Sequence, residues 1–176
     1  MFSDPRKNII EMNVGEGMKV ADFGSGAGFY TFALADRVGE YGKIYAIDIM
    51  ADHLAKIKRE AERRGIKQVD FIHADLESAH GSALPPGSVD RVLITNILFQ
   101  VDDPKLIAKE AKRVLKRTGK IAVIEWSGSP GLVGPHMDHV VKENEAMKIF
   151  IDEGLVLERK FDAGTHHYGL LFKLAQ

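Results

Sequence analysis

With 176 residues, and 24 Lys plus Arg against 25 Asp plus Glu, the chain is long enough for one domain with a sizeable core. It carries no overall basic field of the kind that dominates nucleic-acid affinity. The absence of cysteine excludes disulfides, thiolate zinc sites and a cysteine nucleophile. No apolar signal region opens the chain and no run approaches the roughly 18 apolar residues of a membrane span, so one cytoplasmic domain over residues 1–176 is expected.

Apolar runs of strand length alternate with segments of helical period, the pattern of βαβ units and of a parallel sheet buried on both faces. The first strand is predicted at Lys19 to Phe23, and the first helix starts in the glycine-rich loop that follows and runs through Phe32 to Val38. A strand at Lys43 to Asp48 comes next, then a helix capped by Asp52, with Leu54, Ile57 and Ala61 on one face, that stops at Gly65. Strands follow at Val69 to His73 and Arg91 to Asn96. Asp103-Pro104 opens a helix carrying Ile107, Ala111, Val114 and Leu115 and stopping at Gly119, before a fifth strand at Lys120 to Glu125. Trp126 to Asp138, with its glycines and prolines, reads as a loop and His139 to Glu153 as a helix. Leu155 to Phe161 and Tyr168 to Leu174 read as two strands, which must pair antiparallel because a parallel crossover needs about a dozen residues.

Chemistry gathers at the carboxyl ends of the parallel strands, where open α/β sheets bind ligands. Val20-Ala21-Asp22-Phe23 runs into Gly24-Ser25-Gly26-Ala27-Gly28, and glycine lets such a loop turn sharply and bring backbone N–H groups against a ligand. A carboxylate so near the first glycine disfavours a phosphate and suits a cofactor with an amino group and a positive sulfur. With the G-x-G-x-G spacing it favours S-adenosylmethionine over NAD. Asp48 ends the second strand about 20 residues beyond the loop, where a carboxylate can accept both ribose hydroxyls. Asp75 follows the third strand and Asn96 ends the fourth. A glycine turn or an acid after a strand has an ordinary explanation taken alone; the four features in register are the signal.

This set resembles the class I S-adenosylmethionine-dependent methyltransferases from Val20 to Lys173. Gly26-Ala27-Gly28-Phe29-Tyr30-Thr31 with Gly42 to Asp48 is most similar to the small enzymes related to ubiquinone and menaquinone biosynthesis methyltransferases. The resemblance implies a Rossmann-like doubly wound sheet of seven strands, mostly parallel with an antiparallel C-terminal strand, and helices on both faces. It implies that Asp22 and the loop of Gly24, Ser25, Gly26 and Gly28, with Tyr30 beyond, lie near the methionine part of the cofactor. Asp48 would hold the ribose, with Ile49 beside it and Met50 against adenine. Asp75 would accept from the adenine amino group with Leu76 alongside, and Asn96 would line the floor near the methyl group.

The sulfonium already makes the methyl group electrophilic, so the protein mainly holds a nucleophile in line and excludes water. For a phenol or an acidic carbon a base near neutrality would help, and His136, His139, His166 and His167 are the candidates. The same four are equally explained as members of two ordinary surface loops, and H-x-x-H alone is no metal spacing, so no metal is expected. Trp126 and Tyr168 are either packing residues or platforms for a planar acceptor. Few residues precede Lys19, so an open pocket is expected, with any lid drawn from Phe2 to Ile10 and Trp126 to His139. The fourth strand ends Thr95-Asn96-Ile97-Leu98, without the Pro-Pro-Tyr signature of many enzymes that methylate amino groups. A small-molecule acceptor is therefore expected, in a monomer or a homodimer. The rivals are an RNA or protein acceptor, a non-catalytic cofactor-binding or partner-activating subunit, and an NAD-linked oxidoreductase.

Overall fold

The computed structural model describes residues 3–128 and 134–175. Helix α1 (Pro5–Glu11) leads to β1 (Lys19–Phe23), α2 (Phe29–Val38), β2 (Lys43–Asp48), α3 (Ala51–Arg64) and β3 (Val69–His73). Then come β4 (Val89–Thr95), α4 (Pro104–Val114), β5 (Leu115–Trp126), α5 (Glu143–Asp152), β6 (Leu155–Asp162) and β7 (His167–Leu174). The strands form one sheet in the order β3-β2-β1-β4-β5-β7-β6. β1 to β5 are mutually parallel, and β7 runs antiparallel to both β5 and β6.

Both faces of the sheet are covered, which is why its central strands are mostly apolar. Side chains alternate across the pleat: Val92 and Ile94 of β4 pack with Ile107, Ala111 and Phe150 on one side. Leu93 packs with Val20, Leu34 and Ile44 on the other. The order of strands across the sheet reverses at β1, which pairs with β2 on one edge and β4 on the other, and this opens a crevice above the ends of β1 and β4.

The elements depart from the expectations at their ends. Asp52 does not cap α3: Met50 holds the cap position, and Asp52 stands in the first turn, where its charge meets the positive end of the helix. α4 ends at Val114, short of Gly119, because Leu115 turns extended and pairs with Val89. The strand then bulges, and a Cβ on Gly119 would lie 2.5 Å from Leu115 Cδ1. α5 starts at Glu143, the residues Met137–His139 forming a 3-10 turn, and residues 129–133 of the expected loop lie outside the described residues. α1 had no counterpart among the expected elements. Its signal is the one that opens α4, an aspartate before proline: Asp4 accepts from Arg6 N at 3.0 Å as Asp103 does from Lys105 N at 3.0 Å.

The long connection from β3 to β4 is anchored by Glu110 of α4, which is 5% exposed. Its carboxylate accepts from Ser82 N at 2.9 Å, from the Ser82 hydroxyl and from Arg113 at 2.7 Å. Replacing Glu110 by Ala leaves the buried Ser82 donors unpaired and is expected to cost about 1–3 kcal/mol. Urea unfolding checks this as a lowered midpoint at unchanged slope.

Candidate functional site

The loop after β1 carries Gly24, Gly26 and Gly28 at φ of +73°, +51° and +82°. Gly24 N and Ser25 N both donate to Ile47 O, at 2.9 and 3.0 Å, so the end of β2 holds the loop. A Cβ on Gly24 would sit 2.2 Å from Ile97 Cγ2, which fixes the close approach of the turn that follows β4. A Cβ on Gly26 would meet only Gly24 O at 3.9 Å, so the space beside it is open.

Asp48 is the clamp of the site. It is 6% exposed, and Oδ2 accepts from Gly26 N at 2.7 Å while Oδ1 accepts from Met50 N at 2.8 Å. His53 Nδ1 lies 3.5 Å from Oδ1. Each carboxylate oxygen keeps acceptor capacity beyond these bonds.

Above the strand ends lies a cavity of about 970 Å³. Gly24, Ser25, Gly26, Tyr30 and Asp48 line it with the exposed Ile49 and Met50; Asp75, Leu76 and Asn96 complete the expected set on its wall. Asp75 also has a local task, accepting from Glu77 N at 2.9 Å and the Ser78 hydroxyl at 3.1 Å in the turn after β3. Gly28 and Asp22 do not line the cavity. Gly28 is the left-handed cap of α2, packed where a Cβ would be 3.0 Å from Ile57.

Asp22 is sealed behind the loop at 0% exposure. Thr31 Oγ1 donates to its Oδ2 at 2.7 Å, and Oδ1 has no partner among the described residues. Burial, opposed by the Thr31 bond and reinforced by the Asp48 charge, pushes its carboxyl up to about 7. Ser25 Oγ and Asn96 Oδ1 are likewise buried without partners among the described residues, and Asn96 is held at the left-handed φ of +55°. Orphaned polar atoms are rare in folded proteins and costly, so the pair on cavity-lining Ser25 and Asn96 marks a place kept for a ligand.

The histidines do not converge. His136 and His139 are exposed, their rings 6.3 Å apart, and His136 Nδ1 faces Asp138 Oδ2 at 3.2 Å; neither lines the cavity. His166 is exposed in the hairpin, where its carbonyl accepts from Ser127 N at 2.8 Å, and it too stays outside. His167 alone of the four reaches the cavity wall. The β5–β7 register pairs it with Trp126, and the two rings lie 4.2 Å apart. Among the described residues no group of His, Asp or Glu is placed to hold a metal ion.

Sequence reading missed one contributor. Thr31, on the first turn of α2, supplies the hydroxyl that meets Asp22. Residues 3–6, within the Phe2 to Ile10 stretch expected to supply a lid, line the cavity, tied down by the Tyr30 hydroxyl, which lies 2.8 Å from Ser3 Oγ and accepts from Asn8 Nδ2 at 2.8 Å. Asn8 also reaches Ala163 O at 3.1 Å, so one amide joins α1, α2 and the final hairpin. The Asp4-Pro5 cap is the signal that would have found the helix in this segment.

A glycine loop clamped by an acid, at the switch point of a seven-stranded sheet with one reversed strand, defines a methyltransferase of the nucleoside-sulfonium class. The family profile described as "Methyltransferase domain" matches residues 15–171, and the chain belongs to that family. It is 34% identical over 139 residues to a demethylmenaquinone methyltransferase of Bacillus mycoides (strain KBAB4), covering 79% of this chain and 57% of that protein. It is 35% identical over 130 residues to one from Geobacillus stearothermophilus, covering 73% and 54%. The match thus spans little more than half the length of these curated relatives. A SAM-dependent methyltransferase from Aquifex aeolicus superposes with a TM-score of 0.90 at 30% identity, covering 99% of this chain and 91% of that one. A putative type 11 methyltransferase from Sulfolobus solfataricus gives 0.77 at 27% identity, covering 100% and 95%. For a member of this methyltransferase family, the open space at Gly26, the acceptors on Asp48 and the orphaned atoms of Ser25 and Asn96 suit S-adenosylmethionine (SAM) as cofactor.

Gly26→Val should fold, since its Cβ meets no protein atom closely, at a backbone cost of about 1–3 kcal/mol. It should lose the rise in melting temperature that SAM confers. A second outcome concerns pH. A carboxyl with a raised folded-state pKa keeps its proton in the folded chain while the unfolded chain has released it. Stability contributed this way therefore falls as pH rises from about 4 through 7. Asp22→Asn should flatten that fall and be the more stable protein at pH 8, read from urea midpoints at pH 5 and 8.

Proposed function

We propose that this chain transfers the methyl group of SAM to a small planar acceptor with a hydroxylated ring, such as a reduced form of the demethylmenaquinone for which its bacterial relatives are named. The observation that carries this reading is the run of one cavity from the Asp48 clamp, past the orphaned atoms of Ser25 and Asn96, to the Trp126–His167 pair. When bound, the cofactor supplies an electrophilic methyl group. The rest is the work of this chain's residues.

Asp48 accepts the ribose hydroxyls and spends its other lone pairs on Gly26 and Met50, so it is aimed before the ligand arrives. Ile49 and Met50 would hold the adenine, with Asp75 accepting from its amino group and Leu76 beside it. Asp22, behind Gly24 and Ser25, supplies the negative charge for the cofactor's ammonium, and Tyr30 closes that end with residues 3–6. Asn96 lines the floor at the methyl end. Trp126 lines the same end of the cavity beside His167. His167, with Nδ1 3.3 Å from Thr165 O, is the histidine of the four on the cavity wall and the base for the acceptor's hydroxyl proton.

The test is incubation with methyl-labelled SAM and a short-chain reduced demethylmenaquinone, with the label followed into the ring product. Labelling of another small-molecule fraction from an extract, with the quinol untouched, overturns the acceptor assignment. His167→Ala is expected to lower kcat about 100- to 10,000-fold at nearly constant SAM affinity. Asp48→Ala is expected to weaken SAM binding about 10- to 150-fold by calorimetry, the loss of a charged hydrogen bond.

A further inference from the structure

Glu125 is a buried acid to which the methyl-transfer reading gives no task. It stands in β5 one residue before Trp126 and is 1% exposed. Its Oε1 accepts from Leu98 N at 2.7 Å, and the nearby backbone N–H groups of Ile97 and Trp126 also favour its charged form. Burial of a carboxylate is costly, and these backbone N–H groups partly offset it. An apolar residue here would leave the Leu98 N–H without its partner.

The donors belong to the turn that shapes the cavity floor. Ile97 touches the glycine loop at Gly24 and lines the cavity, and Asn96 before it carries both the left-handed φ and an orphaned carboxamide oxygen. Asn96 N donates to Ile124 O at 2.9 Å, so β5 grips the turn from both ends: by the Ile124 carbonyl at residue 96 and by the Glu125 carboxylate at residue 98. A side chain in the favoured position could do no more than pack. A carboxylate specifies where the N–H groups point.

We infer that Glu125 is a positioning residue of the cofactor cavity: its carboxylate holds the 96–98 turn against the glycine loop and so sets how Asn96 and Ile97 face a bound ligand. The titratable group opposite it is Tyr168, its register partner on β7, whose hydroxyl donates to Val141 O at 2.8 Å. Burial, then the charges of Glu125, Glu143 and Glu145, hold that phenol above the usual tyrosine range, so Tyr168 stays neutral while Glu125 titrates. Burial raises Glu125 itself to about 7, against the backbone N–H groups that lower it.

The opposing demands make the test decisive. In Glu125→Gln one acceptor oxygen remains and the buried charge is gone. S-Adenosylhomocysteine affinity at pH 8, by calorimetry, is expected to fall about tenfold while the melting temperature stays level or rises. A merely structural role would lower both together, and that result overturns the inference, as does unchanged affinity. Tight binding of S-adenosylhomocysteine by the unsubstituted protein is the control that separates this from a failure of the cofactor assignment.

Discussion

The site depends on the two hydrogen bonds that Asp48 accepts. β1 and β2 are adjacent parallel strands, so their carboxyl ends arrive side by side, and each is followed by a segment that must leave the sheet. The Asp48 carboxylate ties the two departures together by taking Gly26 N on one side and Met50 N on the other. Charge-assisted bonds of this kind are among the stronger ones available to a protein, and here both donors are backbone groups with no side-chain entropy to lose. The same bonds stiffen the glycine loop, whose left-handed residues would otherwise be the most mobile part of the cavity.

The acids at the ends of neighbouring strands are given opposite environments. Asp48 has backbone donors on both oxygens. Asp22 has one hydroxyl on one oxygen and nothing among the described residues on the other, and burial raises it to about 7. Glu125 is the third case, buried as deeply but with backbone N–H groups that favour its charged form. Stability alone would not keep an acid like Asp22 in the core, because an apolar residue of its size costs less to bury. A cationic ligand beside the loop is what its retention fits.

Much of this was legible in the sequence because the signals were local. The β1 to β3 bounds follow from apolar runs ended by acids, and the Asp48 position follows from its spacing beyond Gly28. Ten of the twelve expected cofactor residues line one cavity for the same reason: parallel strands put successive strand ends at one edge of the sheet. What was not legible depends on tertiary pairing. α4 gives way to β5 at Leu115 because Val89 is there to pair with it, and no helical period records that. The four histidines looked alike in sequence; the β5–β7 register alone brings His167 onto Trp126 and leaves the others at the surface. Glu125 reads as an ordinary strand end, and its contacts come from a turn some 27 residues earlier in the chain.

The central claim is that one cavity, built at the β1–β4 switch point and clamped by Asp48, holds the nucleoside-sulfonium cofactor. A crystal structure of the protein grown with S-adenosylhomocysteine tests it most directly. The account predicts the ribose hydroxyls within hydrogen-bond distance of the Asp48 carboxylate, the adenine between Met50 and Leu76 with its amino group at Asp75, and the amino-acid end against Gly24 and Ser25. A ligand seated elsewhere, or one in this cavity with its ribose away from Asp48, would contradict it.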